Sequence, residues 1–210
     1  MLVAQSPPCQ SAFERTGFVV CRGALPSAVA RLGYEYGLES VLQGFGNAGD
    51  EQVPGSPAFY DDPLMRVLHL RMTAFVEQQT GRQLWPTYCY MRHYNRGAEL
   101  HAHTDRPACE VSGSLCLGFR ASAPWPLYIV DRRGEKRQVQ LQPGDLLIYL
   151  GLELAHWREP FVGDHQVQLF VHYVDKHGGH VQQRDDRQQK PDFREYTADG
   201  QSHGFSSGWR

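Results

Sequence analysis

The chain has 210 residues, of which 41% are hydrophobic and 21% charged, and this favours a single soluble globular domain. Lys and Arg number 21 against 23 Asp and Glu, a net charge of −2, which argues against a nucleic-acid-binding or membrane-surface protein. No apolar run approaches the ~18 residues of a membrane span, and residues 1–8 lack the features of a signal peptide, so we expect a cytoplasmic protein. Five cysteines without a C-x-x-C pair favour reduced thiols over disulfides or structural zinc.

The N-terminal part reads as mainly helical. Residues 13–20 predict a short buried strand, and residues 25–42 predict a helix. Residues 44–57, rich in Gly and Pro, predict a loop. A second helix is expected after Asp62, as N-cap, and Pro63, with its end before Gly81.

From residue 84 onward the pattern changes to short apolar or alternating runs with regularly spaced turns, which is typical of a sandwich or barrel. We predict strands at residues 87–94, 114–119, 127–131, 137–141, 146–150, 155–161 and 166–175. Helices followed by strands, without alternation, predict a mostly β fold with flanking helices: a jelly roll with the N-terminal helices packed on one sheet. The predicted organisation is residues 1–83 as supporting elements, 84–176 as the β core and 177–210 as a polar tail.

Coordinating side chains concentrate in two places. His103 and Asp105 are two residues apart, so in an extended segment both leave the same face. His156 lies in a later predicted strand and supplies a third ligand if the sheet closes. Two imidazoles and one carboxylate on one side of a metal form the facial arrangement of non-haem Fe(II) oxygenases. A chance His-x-Asp pair is the alternative.

These residues belong to a longer motif. It comprises Tyr94-x-x-Gly97-x-x-Leu100-x-x-His103-x-Asp105, Pro143-Gly144-Asp145, His156-x-Arg158 and the strand segment Gln168-Leu169-Phe170-Val171-His172-Tyr173. In this the sequence resembles the 2-oxoglutarate/Fe(II)-dependent oxygenase superfamily, especially its prolyl-hydroxylase-like branch. The resemblance implies a double-stranded β-helix that binds Fe(II) through His103, Asp105 and His156. It also implies that 2-oxoglutarate and O₂ are consumed, that succinate and CO₂ are released, and that a small molecule or peptide side chain is hydroxylated.

The sequence departs from this family at the residue that holds the far carboxylate of 2-oxoglutarate. The family places Arg or Lys about ten residues after the last histidine, where this chain has Gln166. Arg158 shares a strand face with His156 and has a planar fork that binds carboxylates, so it is our candidate, with a surface salt bridge as the alternative. A one-residue shift in the alignment offers His165 instead. By resemblance Tyr94 hydrogen-bonds the same cosubstrate.

Other side chains have two readings. Tyr128 is a further candidate for the cosubstrate pocket, or a core tyrosine. Arg92, Arg106 and Trp125 are candidates for the substrate pocket.

Two alternative functions stay open. One is a cupin-like metal-binding protein without turnover, and the other is the same oxidation ending in desaturation, cyclisation or demethylation.

Overall fold

The computed structural model describes residues 9–186, apart from the side chain of residue 185. Three helices precede or flank the sheets, namely α1 (Gln10–Thr16), α2 (Ser27–Leu42) and α3 (Pro63–Thr80). Helix α3 begins and ends as the sequence predicts: the Asp62 carboxylate accepts the backbone N–H groups of Leu64 and Met65, and Gly81 closes the helix with φ of 72°.

Two antiparallel sheets form the core of the molecule. The seven-stranded sheet has the order β1-β9-β6-β11-β4-β3-β2, and the four-stranded sheet has the order β5-β10-β7-β8. The strands are β1 (Phe18–Cys21), β2 (Asn47–Gly49), β3 (Pro54–Tyr60), β4 (Leu84–Asn95), β5 (Leu100–His103), β6 (Val111–Arg120), β7 (Leu127–Val130), β8 (Lys136–Val139), β9 (Leu146–Leu150), β10 (His156–Arg158) and β11 (His165–Asp175). The predicted mostly β architecture, a jelly roll with flanking helices, is confirmed.

The large sheet has one apolar and one polar face. On β11, Val167 and Leu169 join the hydrophobic core, whereas the alternate residues Gln166 and Gln168 are buried polar side chains on the opposite face. Helix α2 packs closely on the apolar face, since a Cβ added at Gly37 would lie 2.8 Å from Val167 Cγ1. The polar face is therefore turned toward the small sheet, where it lines the interior of the barrel.

The structure corrects the expectations for the N-terminal part. Residues 13–20 are not one strand but helix α1 followed by β1, because Gly17 adopts φ of 80° and ends the helix. The loop predicted at residues 44–57 contains β2 and the first part of β3. Both strands are rich in Gly and Pro, which masks the alternating pattern of a hairpin.

The polar tail expected at residues 177–210 is described only in its first part, where Val181–Asp185 forms a 3-10 helix. The remaining tail, like residues 1–8, lies outside the described residues. Between residues 9 and 186, no helix has the length and apolar character needed to cross a membrane.

Candidate metal centre and its cavity

Strand pairing in the small sheet brings the three predicted metal ligands together. His103, at the end of β5, is the direct pairing partner of His156, the first residue of β10. Asp105 follows two residues after His103, and its Oδ1 lies 3.7 Å from His103 Nε2 and 3.6 Å from His156 Nε2. Neighbouring ligands of an octahedral ion with bonds of about 2.1 Å are roughly 3 Å apart, so small side-chain rotations suffice to close the site.

Each imidazole is oriented by a hydrogen bond on its far nitrogen. His103 Nδ1 donates to the carbonyl of His101 at 2.8 Å, and His156 Nδ1 donates to the carbonyl of Leu154 at 3.0 Å. Each Nε2 is therefore the nitrogen with the free lone pair, and both lie within 3.7 Å of Asp105 Oδ1. Burial lowers the pKa of His156, which favours the neutral imidazole that binds metals.

The carboxylate of Asp105 is held from behind. The Ser112 hydroxyl donates to Asp105 Oδ2 at 2.7 Å and accepts a hydrogen bond from His172 Nδ1 at 2.9 Å. The Asp105 N–H donates to the carbonyl of Gly151, and a Cβ added at Gly151 would lie 2.4 Å from Oδ2. Oδ2 is thus occupied and Oδ1 is left to face the histidines, an arrangement that suits single-oxygen coordination.

The three ligands line a cavity of about 490 Å³ between the two sheets. Its other walls are mainly aromatic and charged, with Tyr60, Tyr88, Tyr90, Tyr94, Tyr149 and Phe170 as rings and Asp50, Glu51, Arg92 and Arg106 as charged groups. The cavity is partly open to solvent and lies on the free side of the triad, so it has room for a metal together with small organic molecules.

Behind this cavity lies a buried cation without an anionic partner. Arg158 is 1% exposed, and in residues 9–186 no acidic side chain forms an ion pair with it. Its Nη1 donates to the carbonyl of Trp125 at 2.7 Å, while its Nε has no hydrogen-bond partner. Burial lowers the pKa of Arg158. Because an unpaired buried charge is costly, the site is suited to an anion that the protein itself does not supply.

Tyr94 connects this cation to the cavity. Its ring lines the cavity wall and packs against Trp125 at 5.0 Å, and the guanidinium of Arg158 lies over the same Trp125 ring at 4.6 Å. The Tyr94 hydroxyl is also buried without a hydrogen-bond partner. Two unsatisfied donors behind a metal triad match a ligand that carries a carboxylate at the end away from the metal, as 2-oxoglutarate does.

Comparison with family models and with curated proteins finds no sequence match. Comparison with solved structures finds many similar folds. A prolyl-4-hydroxylase from Pseudomonas putida is 17% identical with a TM-score of 0.64, covering 80% of this chain and 97% of that one. HygX from Streptomyces hygroscopicus, with nickel and 2-oxoglutarate bound, is 16% identical with a TM-score of 0.63, covering 83% and 89%. SnoK, a non-heme α-ketoglutarate-dependent carbocyclase from nogalamycin biosynthesis, is 13% identical with a TM-score of 0.67, covering 85% and 90%.

The chain has the fold of the 2-oxoglutarate-dependent oxygenases. These likenesses confirm the predicted double-stranded β-helix. A side chain can contact the cosubstrate only if it reaches the cavity. Two of the predicted cosubstrate residues, Tyr128 and His165, do not.

Tyr128 and His165 are not in the cavity. Tyr128 stacks on Trp157 at 5.5 Å and lies under the Lys136 ammonium, on the face of the small sheet opposite to His156. His165 Nε2 is hydrogen-bonded to the Tyr34 hydroxyl of helix α2 at 2.6 Å, on the helix-covered side of the large sheet. Both therefore point away from the metal ligands because side chains alternate along a strand.

Trp125 also differs from its expected place. It is not at the cavity wall but behind Tyr94, packed on Phe161 at 4.8 Å. Gln166, where the family has a basic residue, is buried and donates to Gln168 Oε1 at 2.8 Å. Its amide is thus already engaged within the barrel.

The structure places Arg92 and Arg106 in the cavity, where the sequence expects them. Arg106 pairs with Asp186 at 2.5 Å. Arg92 pairs with Asp50, and Tyr90 donates to the same carboxylate.

Sequence reasoning missed Ser112 and Tyr149 as site residues. The Tyr149 hydroxyl lies 3.4 Å from His156 Nε2. In the sequence, each of the two is marked only by a hydroxyl group within a largely apolar strand, β6 for Ser112 and β9 for Tyr149.

Proposed function

We propose that this protein is an Fe(II)- and 2-oxoglutarate-dependent oxygenase that hydroxylates an unactivated C–H group of a small molecule or a peptide side chain. The supporting observation is the combination of the open-sided triad of His103, Asp105 and His156 with an unpaired buried cation, Arg158. A metal triad alone serves many purposes, and a buried arginine alone often has a structural role. Together they provide one site for a metal and another for the far end of a dicarboxylate.

The roles of the protein's own residues follow from their positions. His103 Nε2, His156 Nε2 and Asp105 Oδ1 would hold the metal on one side, leaving the cavity side for the cosubstrate and O₂. Arg158 and Tyr94 would bind and orient the far carboxylate of 2-oxoglutarate. When bound, the iron and the cosubstrate supply the oxidation: 2-oxoglutarate gives succinate and CO₂, and one oxygen atom of O₂ enters the substrate.

The test is succinate formation by the purified protein with Fe(II), 2-oxoglutarate and ¹⁸O₂. We expect succinate with one ¹⁸O atom, because the cosubstrate turns over slowly even without substrate. The variant His156→Ala should form none, whereas His177→Ala, which alters an exposed histidine outside the cavity, should behave as wild type.

The absence of labelled succinate from protein that binds iron would contradict the proposal. That result would instead support a cupin-like metal-binding protein without turnover. Desaturation, cyclisation and demethylation share the same succinate signal, so the mass change of the substrate distinguishes them from hydroxylation: +16 for a hydroxyl group and −2 for the first two.

A further inference from the structure

Arg92 is a buried arginine in the cavity wall, and its acidic partner lies in a partly exposed loop between two strands. Arg92 is 3% exposed and lies on the inner face of β4, with its Cζ 5.0 Å from the ring centroid of Tyr90 and 5.7 Å from that of Tyr94. Its acidic partner is Asp50, in the β2–β3 connection (residues 50–53) at the edge of the large sheet. Burial alone would lower the pKa of Arg92, but Tyr94, Tyr90 and Asp50 outweigh burial and raise it, so the group is a cation at neutral pH.

Asp50 satisfies Arg92 only in part. A single oxygen, Oδ2, accepts both the Tyr90 hydroxyl and Arg92 Nη2. The other oxygen, Oδ1, is used within the connection and accepts the N–H groups of Gln52 and Val53 at 3.1 and 3.0 Å. Arg92 Nε is left buried without a hydrogen-bond partner. A guanidinium can bind a free carboxylate through two parallel N–H···O bonds, so a ligand anion can offer the acceptor that Asp50 does not.

The other two cations near the cavity are in different situations. Arg106 is held by Asp186, which is itself buried, and its guanidinium lies over the Tyr88 ring at 4.4 Å. Arg158 lies behind the cavity wall and is assigned to the cosubstrate. Asp50, by contrast, is 36% exposed, so it can leave Arg92 for solvent without itself becoming a buried, unpaired charge. Of the two arginines at the cavity wall, Arg92 is therefore the one whose partner is readily replaced.

We propose that the substrate of this site carries an oxyanion, most simply a carboxylate, which replaces Asp50 at Arg92 and Tyr90. This inference rests on the proposed function, because it assigns the substrate class of the same cavity. Without substrate, Asp50 occupies the place of that anion and neutralises a cation that would otherwise be buried and unpaired. With substrate, Arg92 Nε gains a carboxylate acceptor beside that of Nη2, and Asp50 returns to solvent.

The test is rescue of Asp50→Ala by formate, the smallest carboxylate. The unfolding temperature is measured with Ni(II) and 2-oxoglutarate present, so that the cosubstrate and not formate occupies the pocket near Arg158. Sodium formate is compared with sodium chloride at equal ionic strength. We expect formate at ten times its Kd to raise the unfolding temperature of Asp50→Ala by roughly 3 to 6 °C, and that of wild type by much less.

Two control variants separate this site from a general salt effect. In Asp50→Ala/Arg92→Met the anion site is removed, so the formate shift should disappear. Asp164→Ala removes the exposed partner of Arg96 and should show no formate shift beyond that of wild type. The inference is overturned if formate stabilises Asp50→Ala no more than wild type, or if the double variant responds as strongly as Asp50→Ala.

A failure of this inference differs from a failure of the proposed function. If Arg92→Met still forms labelled succinate but Asp50→Ala shows no rescue, the oxygenase proposal stands and the anionic substrate does not. If Arg92→Met loses 2-oxoglutarate binding while Arg158→Met retains it, Arg92 binds the cosubstrate and the substrate assignment is overturned. If wild type forms no succinate, the oxygenase proposal fails whatever formate does.

Discussion

Replacing Arg158 by Met should have opposite effects on the free protein and on the cosubstrate complex. In the free protein Arg158 is a fully buried cation with no acidic partner in the described part of the chain. Removing an unpaired buried charge relieves a desolvation cost, which offsets the loss of its hydrogen bond to the Trp125 carbonyl. We therefore expect the unfolding temperature of metal-free Arg158→Met to equal or exceed that of wild type.

In the complex the same substitution removes the partner of a buried carboxylate. The charge-assisted bonds lost are worth roughly 3 kcal/mol, which corresponds to an affinity for 2-oxoglutarate about 150-fold weaker. The affinity is measured calorimetrically with Ni(II)-loaded protein. Arg120→Met serves as the matched control, because Arg120 is an exposed arginine of the large sheet.

A purely structural arginine would give the reverse pattern. If Arg158→Met unfolds at a lower temperature and binds 2-oxoglutarate as tightly as wild type, Arg158 stabilises the Trp125 region and the cosubstrate assignment is refuted.

Further predictions concern the support of the metal ligands and the surface of the small sheet. Gly151→Ala should weaken Fe(II) binding in a metal titration, because the new Cβ would lie 2.2 Å from the Cys109 carbonyl oxygen and 2.4 Å from Asp105 Oδ2; equal affinity would refute this steric argument. Ser112→Ala should lower Fe(II) affinity by about tenfold, whereas Ser112→Thr, which keeps the hydroxyl, should restore it. Tyr128→Ala should leave 2-oxoglutarate affinity unchanged, and a loss would contradict its outward position. Burial lowers the pKa of His172 to about 4, so the unfolded chain binds more protons below its own pKa of about 6.5. His172 alone should then lower the free energy of unfolding of the metal-free protein by about 2 kcal/mol between pH 7 and pH 5, measured as the difference between the pH dependence of wild type and that of His172→Phe.

The sequence was sufficient to predict that His103, Asp105 and His156 come together, because their spacing is tied to strand geometry. His103 and Asp105 lie at the end of one strand, and His156 begins another strand that pairs with the first. Side chains two residues apart on a strand point to the same side, so the sequence also predicts that His156 and Arg158 share one face of β10. In the structure both side chains are buried, as this prediction requires.

The positions of Tyr128 and His165 could not be predicted in the same way. Alternation divides a strand into two faces but does not reveal which face is turned toward the other sheet. Tyr128 lies opposite Trp157, one residue out of phase with His156, and this register is known only from the paired strands. His165 likewise lies out of phase with Gln166, which points into the barrel.

The Asp50–Arg92 pair was beyond sequence reasoning for a different reason. The two residues are 42 positions apart, and Asp50 lies in a segment that the Gly and Pro content predicted to be only a loop. This contact depends on how the loop between β2 and β3 folds over the barrel. The periodic spacing of apolar residues in the sequence carries no information about that.

The most direct test of the proposed chemistry is an anaerobic titration of the metal-free protein with Fe(II) and 2-oxoglutarate. A chelated 2-oxo acid gives a visible charge-transfer band, and we expect this band in wild type and its absence in His103→Ala. A folded wild-type protein that binds iron but shows no band with 2-oxoglutarate would contradict the assignment of the cosubstrate.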